Sequence, residues 1–235
     1  MGIVNITPDS FSDGGKYFTP EEAIRRGENL IAEGADIIDL GAESTRPGAT
    51  PISAAEEWAR LEVVLKALVK NPQAVISVDT YHVETAKRAL DAGAKIINTV
   101  YPEPIPEMIA LCEAASAELV IPSSYLDREP GFKLSPSHYV DPMIGFNTTR
   151  EEDLEKLRSI ARLSKIGRVL VGASRKRIVK KLIGVKTGGK DIAGNLAIAL
   201  YAANQGASCV RVHDVKETVE SLKVWSALAL NSLPQ

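Results

Sequence analysis

Asp79, Asn98 and Asp141 are two carboxylates and an amide, each set at the end of a short apolar run. Such side chains pair with a flat, donor-rich heterocycle from opposite edges. Arg46, Lys176, Arg211 and His213 add positive charge and forked donors, which suit a phosphate or pyrophosphate. Asn5, Asp9 and Asp13 supply hard oxygens fit for Mg2+ beside such an anion. With three histidines in the chain a multi-His zinc site is not expected, and no spacing suggests a Ser-His-Asp or Cys-His arrangement. A heterocycle edge, anion clamps and Mg2+ ligands together read as displacement of a phosphate leaving group. Singly, each residue has a plainer reading; Asp79 alone reads equally well as the cap of the helix that follows it.

The elements that must position these groups are a repeat of strand and helix. Short β-branched runs predict strands at 3–7, 36–41, 74–80, 95–100, 118–123, 138–143, 168–174 and 209–215. Helical periodicity predicts helices at 20–33, 53–70, 82–92, 106–116, 150–164 and 216–230, with a helical region from 175 to 205 broken at 187–189. Pro20 opens the first helix, and Ser53 followed by Glu56 forms a capping box for the second. The joints "EGAD", "DAGAK" and "NQGAS" repeat one helix-to-strand device, a glycine in the left-handed cap and then a close-packing alanine.

Eight short, mostly apolar strands in this length fit a (β/α)8 TIM barrel better than a doubly wound sheet. The thirteen residues "YLDREPGFKLSPS" between the fifth and sixth strands carry two prolines and no helical period. Extended, they reach roughly 43 Å, against roughly 17–20 Å for a strand, so the crossover is feasible with the fifth helix missing or replaced by a loop. In such a barrel the C-terminal strand ends carry the site. Those ends hold Asn5 with the loop 7–15, then "GAESTRPGA" (41–49), Asp79, Asn98, Ser123, Asp141, Ser174 with Lys176, and Arg211 with His213.

Bulk composition is that of an ordinary soluble globular protein. At 235 residues, 45% hydrophobic and 25% charged, the chain suffices for one large α/β domain, and no low-complexity or Pro/Gly-rich linker divides 1–235. A net charge of −2 argues against nucleic acid or an anionic membrane as the main partner. No apolar run approaches a membrane span, and Met1 leads into Ile3 and Ile6 without a basic segment, so the expected location is the cytoplasm. Cys112 and Cys209 lack CxxC or His spacing and read as small packing residues.

The successive segments "NITPDSFSDGG", "DLGAESTRPGA", "ISVDTY", "IIN", "VDPMIGF", "GASRK" and "RVHDV" resemble, in order, the signatures of dihydropteroate synthase. That family is a TIM barrel joining 6-hydroxymethyl-7,8-dihydropterin pyrophosphate to p-aminobenzoate with release of pyrophosphate. The resemblance assigns Asp79, Asn98, Asp141 and Lys176 to the pterin, and Asn5, Arg46, Arg211 and His213 to the pyrophosphate. It places Asn5 and Asp13 near Mg2+, and Thr45, Pro47, Phe146 and Ser174 around the aminobenzoate. Catalysis falls to Asp79, Asp141, Lys176 and Arg46, with a largely dissociative loss of pyrophosphate. The resemblance also implies a homodimer through late helices, for which 150–164 and 190–205 are the candidates.

The departures fall in the middle of the chain. Thr99 stands where the family reads Asp in "IND", "PSS" (122–124) replaces "MHM", Met143 replaces the Gly of "DPGIGF", and Thr148 stands where a Lys follows. The sequence leaves open a pterin-binding homologue with another arylamine acceptor or no synthase activity, a pterin-dependent methyltransferase, and a non-enzymatic binding protein.

Overall fold

The computed structural model describes residues 1–7, 19–44, 48–185 and 191–229. Eight strands run in chain order around one parallel sheet: β1 (Gly2–Asn5), β2 (Ile37–Gly41), β3 (Val75–Asp79), β4 (Ile96–Asn98), β5 (Glu118–Pro122), β6 (Tyr139–Asp141), β7 (Arg168–Val171) and β8 (Cys209–Val210). The sheet closes where Gly2 bridges Val212 in parallel and the amide of Ile3 donates to the carbonyl of Val212 at 3.1 Å. Closure leaves no sheet edge and confirms the expected barrel.

Helices α1 (Pro20–Ala32), α2 (Ala54–Leu68), α3 (Val83–Asp91) and α4 (Ile105–Ala114) wrap the first half. Their apolar faces pack on the outward side chains of the strands: Leu30, Leu61, Leu65 and Met108 join Ile38, Leu40, Val78 and Ile97 in one fully buried cluster. Each such side chain contributes about 1.5–3 kcal/mol. Gly34, Gly93 and Gly206 have φ of 99°, 109° and 90°, the left-handed cap expected at the three repeated joints. Inside the barrel a smaller cluster of Met1, Ile96, Val120, Tyr139 and Leu170 fills the floor. Arg168 plugs it from below, 2.7 Å from Glu118 and 3.9 Å over the ring of Tyr139.

Three local expectations are corrected. The crossover after β5 does contain a helix, α5 (Ser123–Arg128), but six residues are too few to show a period, and Pro130 follows at once. The rest of that crossover runs without helix to β6, with Tyr125 edge-on to Phe132 at 5.3 Å. The segment 150–164 divides at Ser159 into α6 (Arg150–Arg158) and α7 (Ile160–Leu163). Ser53 caps α2 by accepting from the amide of Glu56, but the carboxylate of Glu56 turns to Arg60 at 2.6 Å, so half of the expected box forms. Complete boxes form instead at Thr19 with Glu22, opening α1, and at Thr149 with Glu152, opening α6. The late helical region holds α8 (Arg177–Ile183), ended by Gly184 at φ 72°, and α9 (Ile192–Asn204); the expected break at 187–189 lies outside the described residues. The helix α10 (Val215–Ala229) completes the ring.

Candidate active site

Parallel register sets the first part of the mouth. Asn5 pairs with Gly41, Gly41 with Asp79 and Asp79 with Asn98, so these residues share one level at the C-terminal ends of β1 to β4. One level below, Asp39 pairs with Ser77. Two residues apart on a strand means the same face, so Asp39 lies under Gly41 and Ser77 under Asp79.

Asp39 is fully buried and organises this side. Its Oδ1 accepts from Ser77 Oγ at 2.6 Å, and its Oδ2 accepts from Asn98 Nδ2 at 3.2 Å and Arg211 Nε at 2.5 Å. The other arm of Arg211, Nη2, donates to Asp79 Oδ2 at 2.8 Å. One guanidinium thus links two acids from neighbouring strands, the forked geometry for which arginine is suited. Burial raises the Asp79 carboxyl to about 7 against the opposing pull of Arg211, with Asp39 and Glu57 adding to the rise. About a fifth of its side chain still faces the mouth.

Across the mouth, β6 ends at Asp141, whose Oδ1 accepts from the amide of Met143 at 2.6 Å. Burial raises this carboxyl too, opposed by Lys176 and the Met143 amide. Lys176 donates from Nζ to the carbonyl of Ile144 at 2.6 Å, with the ammonium 4.1 Å over the Phe146 ring. Burial lowers it to about 8, while Asp141 pulls the other way. Gly145 has φ 78°, and a Cβ there would fall 2.8 Å from Lys176 Cδ, so both backbone and lysine demand glycine. The loop is fastened from behind by Asp153, which accepts from the Gly145 amide at 2.6 Å and from Thr148 Oγ1 at 2.5 Å.

His213 lies beyond β8 with Nδ1 3.1 Å from Ser174 Oγ, the hydroxyl that also accepts from the His213 amide at 3.3 Å. Burial, then Arg175 and Arg211, push its pKa down to about 3. It is therefore a neutral imidazole at neutral pH, and the positive charge expected of it from sequence is absent.

The model of the "Pterin binding enzyme" family matches residues 1–130 and 135–213. A dihydropteroate synthase of Streptococcus pyogenes serotype M6 is 39% identical over 97% of this chain and 94% of that protein. One of Synechocystis is 33% identical over 97% of this chain and 89% of that protein. The chain belongs to the pterin binding enzymes, among the dihydropteroate synthases. The same architecture occurs in a Xanthomonas albilineans dihydropteroate synthase solved with 4-aminobenzoic acid, at a TM-score of 0.88 and 35% identity, covering 99% of this chain and 93% of that one. The fold and the transferase class expected from the motifs are thereby established.

Within this dihydropteroate synthase fold, Asn5, Asp79, Asn98, Asp141, Ser174, Lys176, Arg211 and His213 all lie at or just beyond C-terminal strand ends, and Phe146 lies on the loop after β6. Thr45, Arg46, Pro47, Asp9 and Asp13 lie outside the described residues. The capping reading of Asp79 is displaced, since His82 occupies the start of α3 and Asp79 binds Arg211. Sequence reasoning missed Asp39, Ser77 and Glu43. The signal for Asp39 was present: an acid in the middle of the apolar run "IIDLG" sits two residues before a strand end. Of the family departures, Thr99 is fully buried with Oγ1 unpartnered. Met143 takes φ 62°, which costs a side-chain-bearing residue about 1–2 kcal/mol. Thr148 serves Asp153 where the family has a lysine.

Proposed function

We propose that the mouth holds 6-hydroxymethyl-7,8-dihydropterin pyrophosphate with its ring among Asp79, Asn98, Asp141 and Lys176, and transfers the pterin methylene to p-aminobenzoate. The observation that carries this is the level shared by Asn5, Gly41, Asp79 and Asn98, with Arg211 tied to Asp79 beside it. It aims an acid and an amide at one edge of a flat ring while Asp141 faces from the opposite side of the barrel. In the reaction the methylene C–O bond breaks, pyrophosphate leaves with its electron pair, and the arylamine nitrogen bonds to the methylene carbon and releases one proton. Asp79 and Asp141 stabilise the positive charge that develops on the pterin, more strongly than in water because Asp141 is buried and Asp79 mostly so. Neutral His213 and the guanidinium of Arg211 orient the pyrophosphate end, and the resemblance adds Arg46 there, with Thr45, Pro47, Phe146 and Ser174 about the aminobenzoate.

Asn5 suits an Mg2+ ligand. Asp79 Cβ, Asn5 Oδ1 and Asp79 Oδ2 lie 3.7, 3.8 and 4.0 Å from the position a Cβ would take on Gly41, so the glycine leaves a small space bordered by two oxygens. Asn5 and Asp13 would hold the ion, which when bound offsets the charge of the departing pyrophosphate.

A homodimer is supported by apolar side chains left exposed on the late helices, Tyr201 at 39% on α9 and Val224 at 62% and Leu228 at 76% on α10. Helix α10 lies beyond the two candidate segments of the sequence reading. No helix among the described residues is long and apolar enough to cross a membrane, and the two free cysteines fit the proposed cytoplasmic location.

The test is pyrophosphate release from the pterin substrate with and without p-aminobenzoate. Release that depends on p-aminobenzoate is expected; release only with another arylamine, or none, overturns the reading.

A further inference from the structure

We propose that Glu43 is a positioning residue for this reaction, its carboxylate clasping together the two ends of the connection 42–52 and the rim above β3. The proposal rests on the reading of the mouth above and extends it. Glu43 stands two residues beyond Gly41, the register neighbour of Asn5 and Asp79, and its side chain is 5% exposed. Oε1 accepts from the amide of Ile52 at 3.2 Å and from the hydroxyl of Tyr81 at 2.5 Å. Oε2 lies 2.8 Å from Nε2 of His82. A single carboxylate thus joins the exit of β2, the approach to α2 and the approach to α3.

Its partners are fixed in turn. The Tyr81 ring lies tilted against that of His82, centroids 4.2 Å apart, and meets Tyr101 edge-on at 4.9 Å. The amide of His82 donates to Thr80 Oγ1, which donates to Glu57 Oε2 at 2.7 Å. Burial, with Glu43 beside it, raises the Tyr81 phenol and keeps it a donor. Arg60 adds a further tie, donating to the carbonyl of Ala42 at 3.1 Å. None of these contacts involves the residues assigned to the pterin. They determine instead where the chain leaves and re-enters the rim next to Asp79. A small displacement there is the kind that lowers turnover without weakening binding of the pterin.

Glu43→Gln keeps the shape but cannot accept from all three donors. The experiment measures, on the whole protein, pterin pyrophosphate affinity by calorimetry, kcat with p-aminobenzoate, and hydrogen exchange at the Ile52 amide. The expected result is a fall in kcat of roughly 10–100-fold, pterin affinity within about twofold, and Ile52 exchange about tenfold faster, these last two following from loss of the clasp alone. Tyr81→Phe removes one bond and should reduce kcat by about three- to tenfold. If Glu43→Gln fails to fold, Tyr81→Phe decides by kcat and pterin affinity: a loss of kcat with affinity held supports the positioning role, and an unchanged kcat overturns it. Unchanged Ile52 exchange overturns the clasp; faster exchange with kcat held, or equal losses in kcat and pterin affinity, overturns the positioning role. A wild-type protein without turnover sinks the reading of the mouth instead, and Ile52 exchange then decides the clasp by itself.

Discussion

On the side of the mouth built from β2, β3 and β4, the side chains of Asp39, Ser77, Asp79, Asn98 and Arg211 bind one another directly. On the side built from β6 and β7, Asp141 and Lys176 bind main-chain groups of the one loop that follows β6. The first side inherits its geometry from strand register, which hydrogen bonds repeat along the sheet. The second depends on the path of residues 142–148, in which Met143, Gly145 and Asn147 take φ of 62°, 78° and 52°. It is also the side where two of the family's positions, at Met143 and Thr148, are altered. Substitutions on the strand side should therefore cost both stability and binding, while those on the loop side should act on Lys176 with the barrel intact.

The largest effect is expected at Asp39. Asp39→Ala leaves a buried guanidinium with one partner fewer, and should destabilise the protein by about 3–5 kcal/mol in urea unfolding. A loss below about 1 kcal/mol would mean that the strand side is held no more firmly than the loop side. Asp79→Ala keeps the Asp39–Arg211 pair, so the fold should survive while pterin affinity falls by roughly 10–100-fold, the worth of hydrogen bonds to a charged group. Calorimetry with the pterin substrate measures it, and affinity within threefold of wild type would remove Asp79 from the site.

The raised carboxyl of Asp79 gives the next effect. Its acceptor form exists above a pKa of about 7, so pterin affinity should fall as the pH drops through that value, by about tenfold between pH 8 and 6. Lys176, lowered to about 8, loses its charge as the pH rises past that value, so the profile should also decline on the basic side. Asp79→Asn should abolish the acid limb and leave the basic one; persistence of both would assign the acid limb to the other raised carboxyl, Asp141. The smallest effect is expected at Gly145. Gly145→Ala should cost about 1 kcal/mol in stability, with a several-fold loss in kcat/KM because Lys176 must move. Unaltered kinetics with the same stability loss would show that the lysine is not set by this loop.

Much of this site was legible in the sequence because barrel strands are short and each ends in one polar group. Asp79, Asn98 and Asp141 could be placed at strand ends from the apolar runs before them. Glu43 was not legible as a clasp, because its partners Ile52, Tyr81 and His82 lie 9, 38 and 39 positions further along the chain and meet it only once α2 has folded back. The charge of His213 was misread for a related reason: residue type supplies the imidazole, but burial beside Arg175 and Arg211 decides that it stays neutral. The short helix α5 escaped because fewer than two turns show no periodicity.

By itself the sequence determined the repeat of strand and helix, the eightfold count that makes a barrel, and the residue types at its C-terminal rim. Those depend on local pattern, apolar runs, caps and glycine joints, which the chain carries within a few residues of each position. Only the tertiary structure decided which of the charges at the rim neutralise one another. Arg211 finds Asp39 across 172 positions and Asp79 across 132, and the pairing exists because closure of the sheet brings the end of β8 across to β2 and β3. Ionisation likewise follows burial and proximity, which are properties of the closed barrel and not of any stretch of its chain.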